Sequence, residues 1–255
     1  MKLAIMQPYI FPYIGYFQAI SAVDKYILYG NLTFIKDAWI NRNRIALKNG
    51  KVFLFTVPLL HKSSNINICD IKIDNTQKWK SKLLKSILLN YKGAAAFDEI
   101  YHLIEEILQP TYEYLVDFNN QSIISISNFL NIQTQIECDN TKYIDLELKL
   151  DAWEQNNHDV FPELNKTYPI KKVARVIEIC KMEKARLFIN AIGGKELYDY
   201  EEFLKYGIDL KFVQTDVVTY PQFAPEFIPN LSIIDVLMHN GKEGTKQLLK
   251  TYTLI

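Results

Sequence analysis

Short apolar runs bounded by turn residues alternate with longer stretches of helical periodicity, and this alternation restricts the chain to a mixed architecture. Residues 2–6 (KLAIM) read as a buried strand that stops at Gln7-Pro8, because proline has no N–H for a ladder. A turn and a helix carrying Tyr13, Gly15, Phe17 and Ala19 follow, and Asp24 opens a second strand over 25–29. Residues 39–43 read as a loop or short turn, and 51–60 as a β-branched and aromatic strand closed by Pro58. Ile66, Ile68, Ile71 and Ile73 alternate with one slip, as on an edge or bulged strand.

Helical stripes dominate from 79 to 91 and from 97 to 115, where Pro110 kinks or divides the second helix. Residues 122–130 suit another helix and 133–139 a short strand. The second half adds an amphipathic helix at 170–182, a strand at 186–190 followed by Ala191-Ile192-Gly193-Gly194, a short helix at 201–206, a strand at 208–214 and a helix at 232–240. Alternation of this kind predicts an α/β fold, a largely parallel sheet flanked by helices with irregular loop insertions, whose strand order the sequence leaves unresolved. The expectation is one α/β domain over 1–255. The polar, proline-broken stretch 139–170 is the candidate long loop, lid or subdomain linker.

Charge and cysteine content narrow the function classes. Twenty-nine basic residues balance 29 acidic ones, which disfavours an extensive nucleic-acid surface. No apolar stretch of about 18 residues offers a membrane span. The apolar start is interrupted by Pro8, Pro12 and Gly15, unlike a secretory signal. Cys69, Cys138 and Cys180 are distant and odd in number, so a cytoplasmic protein with reduced cysteines is expected, and no metal.

Two stretches stand out chemically. Gln7-Pro-Tyr-Ile-Phe-Pro-Tyr-Ile-Gly-Tyr-Phe lies at the C-terminal end of the first strand, where open α/β sheets bind ligands. There Gln7 supplies a hydrogen-bonding amide, and Tyr9, Tyr13 and Tyr16 supply rings and hydroxyls. A rigid crossover with tyrosines packed on the core is the competing reading. Between 36 and 51, Lys36, Arg42, Arg44, Lys48 and Lys51 face the single acid Asp37. Asn41-Arg42-Asn43, with Trp39 nearby, suits a phosphate or carboxylate beside a ring. A solvated hairpin face explains the same pattern.

The remaining candidates are sparser. His61 follows a strand end and is the positional candidate for a general base, with Asp235 as the alternative. Ser232 and Asp235 also suit the first turn of a helix, as cap and acidic partner. Gly193 and Gly194 permit close approach of a ligand or merely end a strand. The sequence contains no HExxH, GxSxG, GxGxxG or Walker pattern.

The opening block, together with Asp24, Phe34, Lys36, Trp39, Asn41-Arg42-Asn43 and Thr56-Val-Pro58, resembles the WbqC-like family. The resemblance continues through Tyr91-Lys92, Gly193-Gly194, Tyr198, Tyr220-Pro-Gln222 and Leu231-Ser-Ile-Ile-Asp-Val-Leu-Met-His-Asn-Gly241. It implies a role in bacterial surface-polysaccharide (O-antigen) biosynthesis. The implied activity is a transferase joining an acyl or aminoacyl group to an amino sugar, free or nucleotide-linked. An activated acyl or aminoacyl donor, or an acyl carrier, would then be the second substrate, and Tyr220 and Gln222 would join the binding residues. Phe11-Pro-Tyr-Ile-Gly-Tyr16 is also similar to the signature of adenylate-handling nucleotidylyltransferases, with Tyr13 and Tyr16 where those enzymes carry histidine. A nucleotide-sugar-binding module and an assembly protein of the same pathway are the other readings. Oligomeric state is not legible.

Overall fold

The computed structural model describes residues 1–61, 65–155, 164, 168–216 and 218–255. A six-stranded sheet contains β1 (Lys2–Met6), β2 (Lys25–Leu28), β5 (Gln135–Glu137), β6 (Leu187–Ala191), β7 (Asp209–Thr215) and β8 (Tyr252–Leu254). Its order is β5-β2-β1-β6-β7-β8. The pairings from β5 to β7 are parallel, and β8 runs antiparallel to β7, so the sheet is mixed. A separate antiparallel ribbon joins β3 (Arg42–Ala46) to β4 (Val52–Thr56).

Helices cover both faces of the sheet, as its composition requires. Successive residues of each inner strand enter opposite cores: Leu3 and Ala4, Ile27 and Leu28, Phe188 and Ile189, Phe212 and Val213. One core is closed by α1 (Ile14–Ser21), α2 (Trp79–Tyr91), α3 (Phe97–Leu108), α4 (Leu115–Phe129) and α8 (Ile233–Leu248). The other lies under α5 (Ile144–Gln155), α6 (Lys171–Met182) and α7 (Tyr200–Leu204), with Trp153, Ile177 and Phe203 fully buried. Charged pairs stitch this second layer: Glu147 accepts from the Arg175 guanidinium at 2.8 Å, and Lys25 donates to Glu183 at 2.8 Å.

Several expectations need adjustment. The alternating isoleucines of 66–73 form no strand; a 3₁₀ turn at Ile68–Asp70 interrupts them, leaving isolated bridges at Asn67, Lys72 and Ile73. The chain divides near Pro110 into α3 and α4, and α4 begins at Leu115, seven residues before the expected start. Part of the 139–170 stretch is helix α5 rather than loop, while 156–163 and 165–167 lie outside the described residues. Among the described residues no helix is long and apolar enough to cross a membrane.

The sheet opens at one place. β1 and β6 pair only at Lys2–Leu187 and Leu3–Phe188. Beyond them Ala4, Ile5 and Met6 pair with β2, and Ile189, Asn190 and Ala191 pair with β7. The chain leaves β1 through α1 towards β2, whereas β6 stands on the other side. A strand-order reversal of this kind leaves a crevice beyond the carboxyl ends of the strands.

Candidate functional site

The loop leaving β1 forms one wall of that crevice and is held by buried amides. Asn43 Nδ2 donates to the carbonyls of Ile10 (3.0 Å) and Phe11 (2.7 Å), and Ser232 Oγ donates to Phe11 O at 2.8 Å. Asn119 Nδ2 reaches Pro8 O at 3.2 Å and Ile40 O at 2.9 Å. These bonds fix Phe11 at φ 41°, a conformation rare for a bulky residue. Its ring is locked against Phe55 and Phe118.

A cleft of about 480 Å³ lies between this loop, the ends of β6 and β7, and the β3–β4 ribbon. It is lined by Tyr9 and Tyr13 of the loop, Ile192 after β6, the β7 residues Gln214 and Thr215, and Trp39, Asn43, Arg44 and Asn230. The Tyr13 hydroxyl bonds to Thr215; burial raises its pKa against that bond, so the phenol is neutral. Gly15 permits this placement, since a Cβ there would stand 2.5 Å from the Tyr13 ring.

Among the described residues Arg44 is the one cation lining the cleft, and no carboxylate lines it. Its guanidinium lies 5.7 Å from the Trp39 ring centre and donates to Pro229 O at 3.2 Å, while its buried Nε has no hydrogen-bond partner among the described residues. Arg42 lies over the same ring at 6.0 Å but is engaged by Asp37 at 3.2 Å. Trp39 is 48% exposed. The arrangement suits an anionic group on Arg44 and a flat or ring-shaped group against Trp39.

The other sequence candidates distribute around this site. Tyr9 and Tyr13 line the cleft, whereas Tyr16 is buried behind Tyr9 at 5.1 Å and donates its hydroxyl proton to Gln7 O at 3.0 Å. Gln7 and Lys36 do not line the cleft, and Lys36 is exposed. Asn41 is occupied by Val57 O at 2.9 Å. Gly193 and Gly194 form a 3₁₀ turn after β6, and the close approach at Gly194 is to the Asn190 amide rather than to open space. His61 is exposed and does not line the cleft.

Tyr220 and Gln222 belong to the segment leading into α8. Gln222 staples that segment, accepting from Ile228 N at 2.8 Å and donating to Ile228 O at 3.1 Å and to the Tyr220 hydroxyl at 3.2 Å. Ser232 caps α8 through Ile234 N. Asp235 is fully buried behind it, and burial raises its pKa to about 7 despite a 3.2 Å hydrogen bond from Tyr91.

Sequence reasoning did not single out Ile192, Gln214, Thr215, Asn230 and Asn119. Each reaches the site through topology, and no local pattern marks it. A larger, open depression of about 920 Å³ lies beside Asp24, lined also by Thr134 and by Tyr252 and Leu254 of β8. It sits at the amino end of β2, away from the strand ends that form the crevice. Burial pushes the Cys180 thiol up to about 12, in keeping with a core role. Among the described residues no group of three His, Cys, Asp or Glu side chains is placed to hold a metal ion.

The fold and the cleft define a mixed α/β protein with a crevice at the switch point of its main sheet. The WbqC-like protein family model matches residues 7–247, and the chain belongs to that family. It is 26% identical over 250 residues to a Mycobacterium tuberculosis protein described as uncharacterized protein Rv1507c, covering 97% of each chain. No solved structure matches the chain.

Proposed function

We propose that the chain is a transferase of bacterial surface-polysaccharide biosynthesis that joins an acyl or aminoacyl group to an amino sugar, free or nucleotide-linked. The observation that carries this reading is the split between β1 and β6, which opens a cleft lined by three aromatic rings, side-chain amides and one arginine. Sugars and nucleotides present flat faces and hydroxyls, and an attached phosphate supplies the anion that Arg44 would take. The family's association with polysaccharide gene clusters supports the pathway. Pocket size is compatible with a ligand of this class.

A nucleotidylyltransferase reading draws less support. Tyr16, which stands where that signature carries histidine, is buried and spends its hydroxyl on Gln7 O. Incubation of the protein with amino-sugar nucleotides and candidate acyl and aminoacyl donors, followed by mass spectrometry, tests the proposal. A protein-dependent acyl mass increment on the sugar is the expected result. Saturable sugar binding without product across the donor set would favour a binding module instead.

A further inference from the structure

Asp235 and His239 stand one turn apart on the same face of α8, and each carries a polar atom with no hydrogen-bond partner among the described residues, the two within ion-pair range of each other. Asp235 Oδ2 accepts from the Tyr91 hydroxyl, but among the described residues neither Oδ1 nor His239 Nε2 has a hydrogen-bond partner. These two atoms lie 3.7 Å apart. The side chains are 0% and 6% exposed. Buried polar atoms are nearly always paired, so two orphans facing each other need an explanation.

Their position relates them to the cleft. Arg42, Arg44 and Ala46 alternate onto one side of β3, and Ala46 N donates to the Tyr91 hydroxyl at 3.2 Å. Two residues along the strand from Arg44, about 7 Å, therefore lead to the Tyr91–Asp235 hydrogen bond. Beside Arg44, Asn230 also lines the cleft, and α8 begins just after it. The segment 220–229 roofs this inner end: Phe223 packs on the His239 ring at 4.8 Å, Tyr220 at 6.3 Å, and Pro229 O holds Arg44.

We infer that Asp235 and His239 receive the amine of an amino sugar, its ammonium donating to Asp235 Oδ1 and His239 Nε2 while an anionic substituent lies on Arg44. The inference rests on the reading of the cleft given above and deepens it. A nitrogen within hydrogen-bond distance of both atoms is possible at their 3.7 Å separation. To become a nucleophile the ammonium must lose one proton. That N–H bond breaks, its electron pair stays on nitrogen, and the proton forms the new Nε2–H bond of His239. Neither residue lines the cleft, so on this assignment the amine is admitted by displacement of the roof at Phe223, which is 40% exposed.

The surroundings suit this task. Burial raises Asp235 to about 7 and lowers His239 below its ordinary value, so the empty pair is held near neutrality. The facing groups are Tyr91 from α2 and Tyr220 from the roof, both kept neutral mainly by burial. Lys48, from the β3–β4 turn, lies over the outer Phe223 ring at 5.4 Å with its ammonium on Lys92 O. An arriving ammonium would ionise Asp235, so amine binding releases a proton.

Calorimetry with glucosamine 1-phosphate and N-acetylglucosamine 1-phosphate, in buffers of different ionisation enthalpy, tests the assignment. The protein should bind the free amine about tenfold more tightly, with proton release. Asp235→Asn and His239→Gln, each checked for retained cooperative folding, should lose the preference while still binding the N-acetyl form. Arg44→Ala should weaken both probes alike. Equal binding of the two probes by the wild-type protein, or a preference that survives in both variants, overturns the assignment and leaves the cleft reading standing. Absence of binding by either probe overturns both.

Discussion

Leu3 and Phe188 are the last residues at which β1 and β6 pair; beyond them each strand turns to its other neighbour. The crevice follows from that separation. Tyr9 and Tyr13 enter it from the β1 side, and Ile192, Gln214 and Thr215 from the β6–β7 side. The β3–β4 ribbon then adds the cation. Site and sheet topology are thus one feature of the fold.

Asn43 anchors the loop on the β1 side, so its removal should cost stability. Asn43→Ala deletes three hydrogen bonds, two from Nδ2 to the loop and one accepted by Oδ1 from Arg44 N, and leaves Ile10 O buried without its amide donor. A loss of about 2–3 kcal/mol is expected from chemical denaturation. A loss below about 0.5 kcal/mol would show that the loop holds without it.

Gly15→Ala tests the placement of Tyr13. The added methyl must displace the Tyr13 ring, breaking its bond to Thr215 across the cleft. Sugar-phosphate affinity should fall several-fold, and Tyr13→Phe, which removes the hydroxyl alone, should reproduce part of the loss. Wild-type affinity in both variants would detach Tyr13 from the site.

Stability should depend on pH through Asp235 and His239 in opposite directions. The raised pKa of Asp235 means that the folded state holds its proton more tightly than the unfolded chain. That contribution is complete below the ordinary aspartate range and is lost as pH rises through about 7, at up to about 1.4 kcal/mol per unit. Asp235→Asn should flatten the loss. The lowered pKa of His239 means that the unfolded chain gains a proton first as pH falls below about 6.5, so acid costs stability there. His239→Gln should remove that acid-side term. Urea midpoints between pH 5 and 8.5 would read both slopes.

The layer opposite the cleft rests on a buried ion pair. Glu147→Gln leaves the Arg175 guanidinium without its counter-charge and weakens the bond from the Tyr29 hydroxyl. A destabilisation of about 3–5 kcal/mol is expected by thermal or urea melts, because an uncompensated buried charge remains. Cleft ligand affinity in the surviving folded protein should be unaltered.

Much of the sheet was legible because apolar runs such as KLAIM and LFINA end abruptly at turn residues. β3 was not, since RNRIA alternates arginine with an asparagine whose burial depends on the distant Ile10 and Phe11 carbonyls. The basic stretch and the opening tyrosines were visible, but their partition was not. Arg42 and Arg44 look alike in sequence, and Asp37 happens to engage the first. Tyr9, Tyr13 and Tyr16 look alike too, yet helix α1 turns Tyr16 into the core. Gln214 and Thr215 carry no local signal because β7 reaches the crevice only through the strand order. Asp235 and His239 show helical spacing, but only the packing of Tyr91 and Phe223 reveals that their free atoms face each other.

Tryptophan fluorescence tests the central claim most directly, because Trp39 is half exposed at the cleft while Trp79 and Trp153 are buried. Titration with a nucleotide-linked amino sugar should give a saturable change in emission that Trp39→Phe abolishes and Arg44→Ala shifts at least tenfold to higher ligand concentration. A titration that leaves the emission flat, or one that Arg44→Ala does not move, would contradict the assignment of this cleft as the ligand site.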